Sequence, residues 1–257
     1  LLYIASDAEL KSWGVRFIQP DRPGFGLSSP ADSMEYRDYY RDIEQLLDHL
    51  KIERTGVLGW SAGTPWALAL GATLGTRVTR VGIVGALMTP DDERLRGQTP
   101  LSSLLFIWTA KHWPSATGRL IEGLAAEWKK DPERFFRSQN LRNSKVDVDV
   151  AFRPEVARGL KLSNAETLRY GFEPLVRGEL RRIGAPWGID WKAIRAPVRF
   201  WHGLKDAATP PLGSRILAER INGAEVIEPP EEGHMLIVPR AREIVSWVAF
   251  GPVNPAR

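Results

Sequence analysis

Between Gly56 and Pro65 the chain reads Gly-Val-Leu-Gly-Trp-Ser-Ala-Gly-Thr-Pro, and no other stretch constrains the fold as strongly. Residues 54–58 supply the Thr and Val of a buried strand. A sharp turn follows with Ser61 at its apex between Gly59 and Gly63, and residues 66–74 (WALALGATL) have the length and composition of a largely buried helix. A strand that turns this abruptly into a helix strains the apical backbone and projects the apical side chain above the sheet. Side chains larger than hydrogen at 59 and 63 are expected to collide with neighbouring backbone. Strand, turn and helix in this order are the context that separates a nucleophile elbow from a chance Gly-x-Ser-x-Gly match.

A serine hydroxyl is a poor nucleophile at neutral pH, so a base must lie within hydrogen-bond reach, oriented by a carboxylate. The chain has four histidines. His49 falls in an amphipathic helix over 42–50, where a surface or helix-end position is expected. His112 lies in an irregular, Trp-rich region, and His202 follows a strand but precedes Gly203 inside another motif. His234 stands in a Pro/Gly loop (PPEEGHM) after a strand at 224–228 and before a terminal helix, the kind of mount a loop-borne base needs. For the acid, residues 196–203 (APVRFWHG) read as a buried strand, and the loop leaving its C-terminal end carries Asp206. In a parallel sheet that edge is where ligands bind. An aspartate in such a loop is ordinarily a turn or cap residue; Asp91 and Asp92, after a strand at 78–87, are the competing acids.

Strands alternate with helices over residues 15–88, starting with a strand at 15–19, and again over 196–248, which predicts an α/β fold with a mostly parallel sheet covered on both faces. Residues 89–195 differ: helical, amphipathic segments at 104–108, 120–124 and 128–136 are joined by polar and Pro-rich connections, too long a stretch for a loop without its own structure. The expected organisation is a core at 1–88 and 196–257 with a helical cap inserted at 89–195. The cap carries Trp108, Trp113, Trp128, Trp187 and Trp191, half of the ten tryptophans, and is expected to shape an apolar pocket, each ring chiefly packing cap against core. Asp147 to Asp149 (Asp-Val-Asp) are expected to be solvated loop carboxylates, not a cation site.

With 257 residues, 43% of them hydrophobic and 26% charged, the chain suffices for one sizeable core. The absence of cysteine excludes disulfides and thiolate metal sites, no apolar run is long enough to span a membrane, and a cytoplasmic enzyme is expected. A net charge of +4 without a basic stripe interleaved with aromatics argues against nucleic-acid binding.

The chain resembles an α/β-hydrolase-fold protein. The resemblance rests on Asp-Arg-Pro-Gly-Phe-Gly-Leu-Ser at 21–28, the elbow at Ser61, the His-Gly-Leu-Lys-Asp run ending at Asp206, and Gly233-His234, in the family's order over about residues 15 to 248. It implies Ser61 as nucleophile, Asp206 as orienting acid and His234 as general base, with the backbone N–H of Ala62 as one oxyanion donor; Trp60 is a candidate substrate contact. The 21–28 loop is structural in the family, Asp21 and Arg22 bracing its turn. Family members carry a His-Gly loop after an earlier strand as the other oxyanion donor. Here the chain opens at Leu1 in what resembles the helix after that loop, so the second donor is expected upstream of Leu1, in a segment lost from a truncated chain. Without that earlier strand, the strands at 15–19 and 55–58 would each lose a ladder partner.

The resemblance implies acyl transfer on a small or medium apolar ester with no metal or cofactor. A serine rather than an aspartate at the elbow argues against haloalkane dehalogenase or epoxide hydrolase chemistry. Aminopeptidase, C–C hydrolase and cofactor-free perhydrolase activities use the same triad and stay open, as does a ligand-binding or signalling module of this fold. Acyl length, stereochemistry and oligomeric state are left open.

Overall fold

The structure is a computed structural model and describes residues 4–31, 35–95, 97, 101–131, 134, 144–167 and 169–252. The chain forms two compact units. One comprises Ile4–Phe17, Glu35–Thr89 and Trp187–Arg257, the other Leu1–Tyr3, Ile18–Met34 and Pro90–Pro186.

The first unit is built on a parallel sheet of four strands, β1 (Thr55–Trp60), β2 (Val78–Val84), β3 (Val198–Trp201) and β4 (Glu225–Ile227), in spatial order β1-β2-β3-β4. Val81, Ile83 and Val84 of β2 and Phe200 and Trp201 of β3 are fully buried, the continuous apolar pattern of strands covered on both faces. Parallel neighbours need long crossovers. The helix Thr64–Thr73 joins β1 to β2, and the helix Leu212–Glu219 joins β3 to β4. The register pairs Trp60 with Val84, Val84 with Trp201 and Trp201 with Ile227, so the C-terminal ends of all four strands are level. Every loop that leaves those ends therefore starts from one edge.

Thr64 through Gly71 are all buried, as an apolar helix with Pro65 in its first turn requires. Its Trp66 meets Tyr36 and Tyr39 edge to face at 4.8 and 5.0 Å. Trp187 packs 6.4 Å from Tyr36, and Trp191 lies under the Arg220 guanidinium at 5.6 Å. Trp187 and Trp191, read from sequence as cap residues, thus belong to the sheet unit: Trp187 fills its aromatic cluster. The terminal helix Ala241–Phe250 buries Ile244, Val245, Trp247 and Val248.

Residues 15–19 do not form the expected strand. A strand exists only through ladder hydrogen bonds, and β1 pairs with β2 alone among the described residues.

The second unit contains the helices Leu101–His112, Pro114–Lys130, Lys145–Ala151 and Pro154–Thr167, then a wide-turned π-helix, Pro174–Leu180. Ala110, Ile121 and Val176 form its core with Phe106, Phe172, Leu175 and Leu180 around them. His112, expected in an irregular region, closes the first of these helices. Leu104, Leu105, Trp108, Trp113, Leu120 and Leu124 are exposed, so the amphipathic stripe of this unit is only partly covered. The side chain of Trp128 and residues 132–133 and 135–136 of the expected third segment lie outside the described residues. Asp147 is a correction: it sits in a helix, is buried, and accepts from Ser144 Oγ at 2.6 Å. Ser144 precedes the helix at the position where Ser favours a helix start, a signal that outweighs the acidic pattern.

The 21–28 loop lies in this unit. Asp21 braces its turn by accepting from Leu27 N (3.2 Å) at Oδ2 and from Ser28 Oγ (2.8 Å) at its carbonyl, and Arg22 pairs with the buried Glu179 of the π-helix at 2.5 Å. Among the described residues no helix is long and apolar enough to cross a membrane.

Candidate active site

Ser61 follows directly on β1 with φ 52°, one of two non-glycine residues with positive φ among those described. A left-handed conformation costs a serine about 1–2 kcal/mol, so the surroundings must enforce it. They do so at both ends of the turn. A Cβ on Gly59 would lie 2.7 Å from both the Gly63 carbonyl oxygen and Ala67 Cβ, so only hydrogen fits where strand and helix converge. The Thr64 hydroxyl, fully buried, donates to the Ser61 carbonyl at 2.7 Å and accepts from Leu87 N at 3.0 Å, tying the elbow to the segment after β2. Position 63 departs from expectation. A Cβ there meets nothing within 4 Å, because the crowding comes from the Gly63 carbonyl and not from its α-carbon.

Asp206 and His234 arrive on two loops that are hydrogen-bonded to one another. Leu204 N donates to the Pro229 carbonyl at 3.0 Å and Lys205 N to the Glu232 carbonyl at 2.8 Å. This pairing carries Asp206 Oδ2 to within 2.8 Å of His234 Nδ1, although 28 residues separate them. With Nδ1–H given to the carboxylate, the lone pair of the neutral ring is at Nε2.

The carboxylate is fully engaged. Oδ1 accepts from Ala208 N and Thr209 N, both at 2.8 Å, while Oδ2 accepts from Thr209 Oγ1 at 3.0 Å and faces His202 Nε2 at 3.1 Å as well as His234. The turn-capping aspartate and the histidine-orienting aspartate are the same residue, one oxygen serving each purpose. Burial pushes the Asp206 carboxyl up, but the bonds from His202 and His234, with the His234 charge and Thr209 N–H, more than offset it and hold the group well below the usual carboxylate range.

A carboxyl whose folded-state value is depressed stabilises the fold above its unfolded value, near pH 3.9, and that contribution is lost as pH falls toward the folded value. Urea midpoints measured from about pH 6 down to about pH 2 should therefore fall more steeply for the wild type than for Asp206→Asn, the curves diverging below about pH 4. Parallel curves would show that the carboxylate gains nothing from these partners.

Trp60, the candidate substrate contact, has its indole N–H on the His234 carbonyl at 3.0 Å and its ring 5.2 Å from the imidazole. The residue before Ser61 thus touches both backbone and ring of His234. Ala62 lies in the single helical turn Ser61–Gly63 that starts at the apex. His49 is exposed at the end of its helix, and Asp92 is bound by the Arg94 guanidinium at 2.9 Å. Sequence reasoning missed Thr64, Thr209 and Ser214 altogether and set His202 aside. The Asp-x-x-Thr spacing at 206–209, which suits a side-chain-capped turn, was the signal for Thr209. No group of three His, Cys, Asp or Glu residues able to hold a metal occurs among the described residues.

Comparison with known proteins agrees with this architecture. The sequence model described as the alpha/beta hydrolase family matches residues 3–247. The uncharacterized hydrolase YcgS of Bacillus subtilis (strain 168) is 26% identical over 236 residues, 87% of this chain and 76% of that protein. Among solved structures, the enol-lactonase from Burkholderia xenovorans LB400 superposes with a TM-score of 0.57 at 21% identity, covering 89% of this chain and 77% of that one. A thermophilic esterase from Thermogutta terrifontis gives 0.57 at 18% identity, with 89% and 76% covered. At such identities the structural likeness speaks for the fold alone, but a family match over nearly the whole length decides more: the chain belongs to the alpha/beta hydrolase family.

Proposed function

We propose that this hydrolase cleaves carboxylic esters through Ser61, His234 and Asp206 by way of an acyl-enzyme. The observation that carries the reading is the 2.8 Å bond from His234 Nδ1 to Asp206 Oδ2, made at the sheet edge where Ser61 is held at φ 52°. His234 Nε2 takes the Ser61 Oγ proton as the oxygen attacks the ester carbonyl. Charge moves onto the carbonyl oxygen, and the Ala62 N–H is assigned as a donor to it. The imidazolium, stabilised by Asp206, then protonates the departing alkoxide. In the second half His234 deprotonates a water that attacks the acyl-enzyme, and returning that proton to Ser61 releases the acid. The insertion read from sequence at 89–195, which leaves the core sequence after β2 and rejoins it before β3, is assigned the role of a cap selecting a small or medium apolar substrate.

Two measurements test this together. A fluorophosphonate probe should add its mass to the peptide containing Ser61. p-Nitrophenyl acetate, butyrate and octanoate should turn over faster than an aminoacyl p-nitroanilide. A chain that neither labels nor hydrolyses any of these, yet binds a small ligand equally well after Ser61→Ala, would be a binding module instead. Preference for the anilide would make it an aminopeptidase.

A further inference from the structure

The residue that the proposed reaction leaves unused is His202. It follows immediately on β3, is fully buried, and is held at both ring nitrogens. Nδ1 lies 2.6 Å from Ser214 Oγ on the helix Leu212–Glu219, while Nε2 lies 2.9 Å from the Thr209 carbonyl oxygen and 3.1 Å from Asp206 Oδ2. Nε2 thus faces two acceptors, one of them a carboxylate, and must carry a hydrogen; the Ser214 hydroxyl is then the donor that serves Nδ1. A space-filling residue at this depth could be apolar, whereas this ring joins the strand end, the acid loop and the following helix through both of its nitrogens.

We infer that His202 is a positioning residue for Asp206, its Nε2–H fixing the carboxylate's rotamer and drawing part of its charge away from His234. This rests on the reading of Asp206 as the acid of an ester hydrolase. A carboxylate oxygen shared with a second donor holds an imidazolium less tightly than an unshared one, so His202 limits the basicity of His234 while keeping the acid aimed at it. Among the described residues, the charged group paired with His202 is Asp206, and Ser214 and Thr209 are its hydrogen-bonding neighbours.

The test compares two substitutions of similar polarity and different reach. The amide nitrogen of His202→Asn is placed like Nδ1 and falls short of Asp206, whereas that of His202→Gln is placed like Nε2 and retains the donor. With p-nitrophenyl butyrate, His202→Asn should lower kcat about tenfold and move the midpoint of the acidic limb of the kcat/KM profile up by about half a pH unit. His202→Gln should restore both. A purely structural role would lower activity in both variants with the midpoint unmoved, and that result overturns the inference. Should His202→Asn not fold, long-range nitrogen–proton NMR of the wild-type chain decides: a protonated Nε2 on His202 supports the role, and a neutral ring protonated at Nδ1 overturns it. Failure of the ester-hydrolase reading is a separate result, seen as a wild-type chain that neither labels nor turns over, and the NMR measurement still decides the placement of the His202 hydrogen.

Discussion

Ser61→Ala is expected to lower kcat for a p-nitrophenyl ester by about 10⁶ and to abolish fluorophosphonate labelling, while Asp206→Asn costs about 10⁴. The difference in size follows from the roles assigned. Without the hydroxyl no acyl-enzyme forms, whereas without the carboxylate the imidazole is still present but in the wrong tautomer. Stability should separate the two variants in the opposite sense. Alanine at 61 removes one hydroxyl from a strained position. Asparagine at 206 must replace an acceptor that faces five donors, Ala208 N, Thr209 N, Thr209 Oγ1, His202 Nε2 and His234 Nδ1. Guanidinium unfolding should place Asp206→Asn below the wild type by more than about 1 kcal/mol, on the order of a lost hydrogen bond to a charged group, with Ser61→Ala near the wild type. If Ser61→Ala retains more than a small fraction of wild-type turnover, the nucleophile lies elsewhere.

Gly203→Ala is the second large effect, and it works through backbone. A Cβ at 203 would stand 2.2 Å from the Glu232 carbonyl oxygen and 2.7 Å from that of Gly233, atoms that cannot swing aside as a flexible side chain can. The two loops must separate. The same Glu232 carbonyl accepts from Lys205 N at 2.8 Å, so separation strains the pairing that delivers Asp206 to His234. The expected outcome is a loss of about 2–3 kcal/mol in denaturant unfolding, with a fall in kcat larger than any change in KM. Gly63→Ala serves as the control, because its Cβ enters open space from a helical backbone: its stability should lie within about 0.5 kcal/mol of the wild type. Equal behaviour of the two substitutions would mean that the glycines answer to conformational freedom alone and not to the approach of the two loops.

Much of this architecture was legible because its signals are local. The elbow is written within ten consecutive residues, and the helix after β1 announces itself by an apolar run that suits no exposed surface. β2, β3 and β4 read as short buried stretches between turn residues, and their observed bounds lie within the expected ones. What misled was local in another way. Residues 15–19 have strand composition, but composition cannot supply a hydrogen-bonding neighbour. The acidic pair around Val148 suggests a solvated loop until Ser144, at the N-cap position and donating to the Asp147 carboxylate, is weighed. His112, amid tryptophans, gave no periodicity to place it.

Residue type and order along the chain determined the parallel α/β fold, the elbow with its glycine at 59, and a short list of chemically competent side chains: Ser61, His234, Asp206. Tertiary structure alone decided which of them meet. The 2.8 Å contact between Asp206 and His234 and the Trp60 indole on the His234 carbonyl join residues far apart in the chain. The physical reason is that sequence patterns report whether a segment suits burial and which backbone angles it prefers. A hydrogen bond between loops depends on strand register and on contacts such as Gly203 against Glu232, which exist only once the sheet has formed.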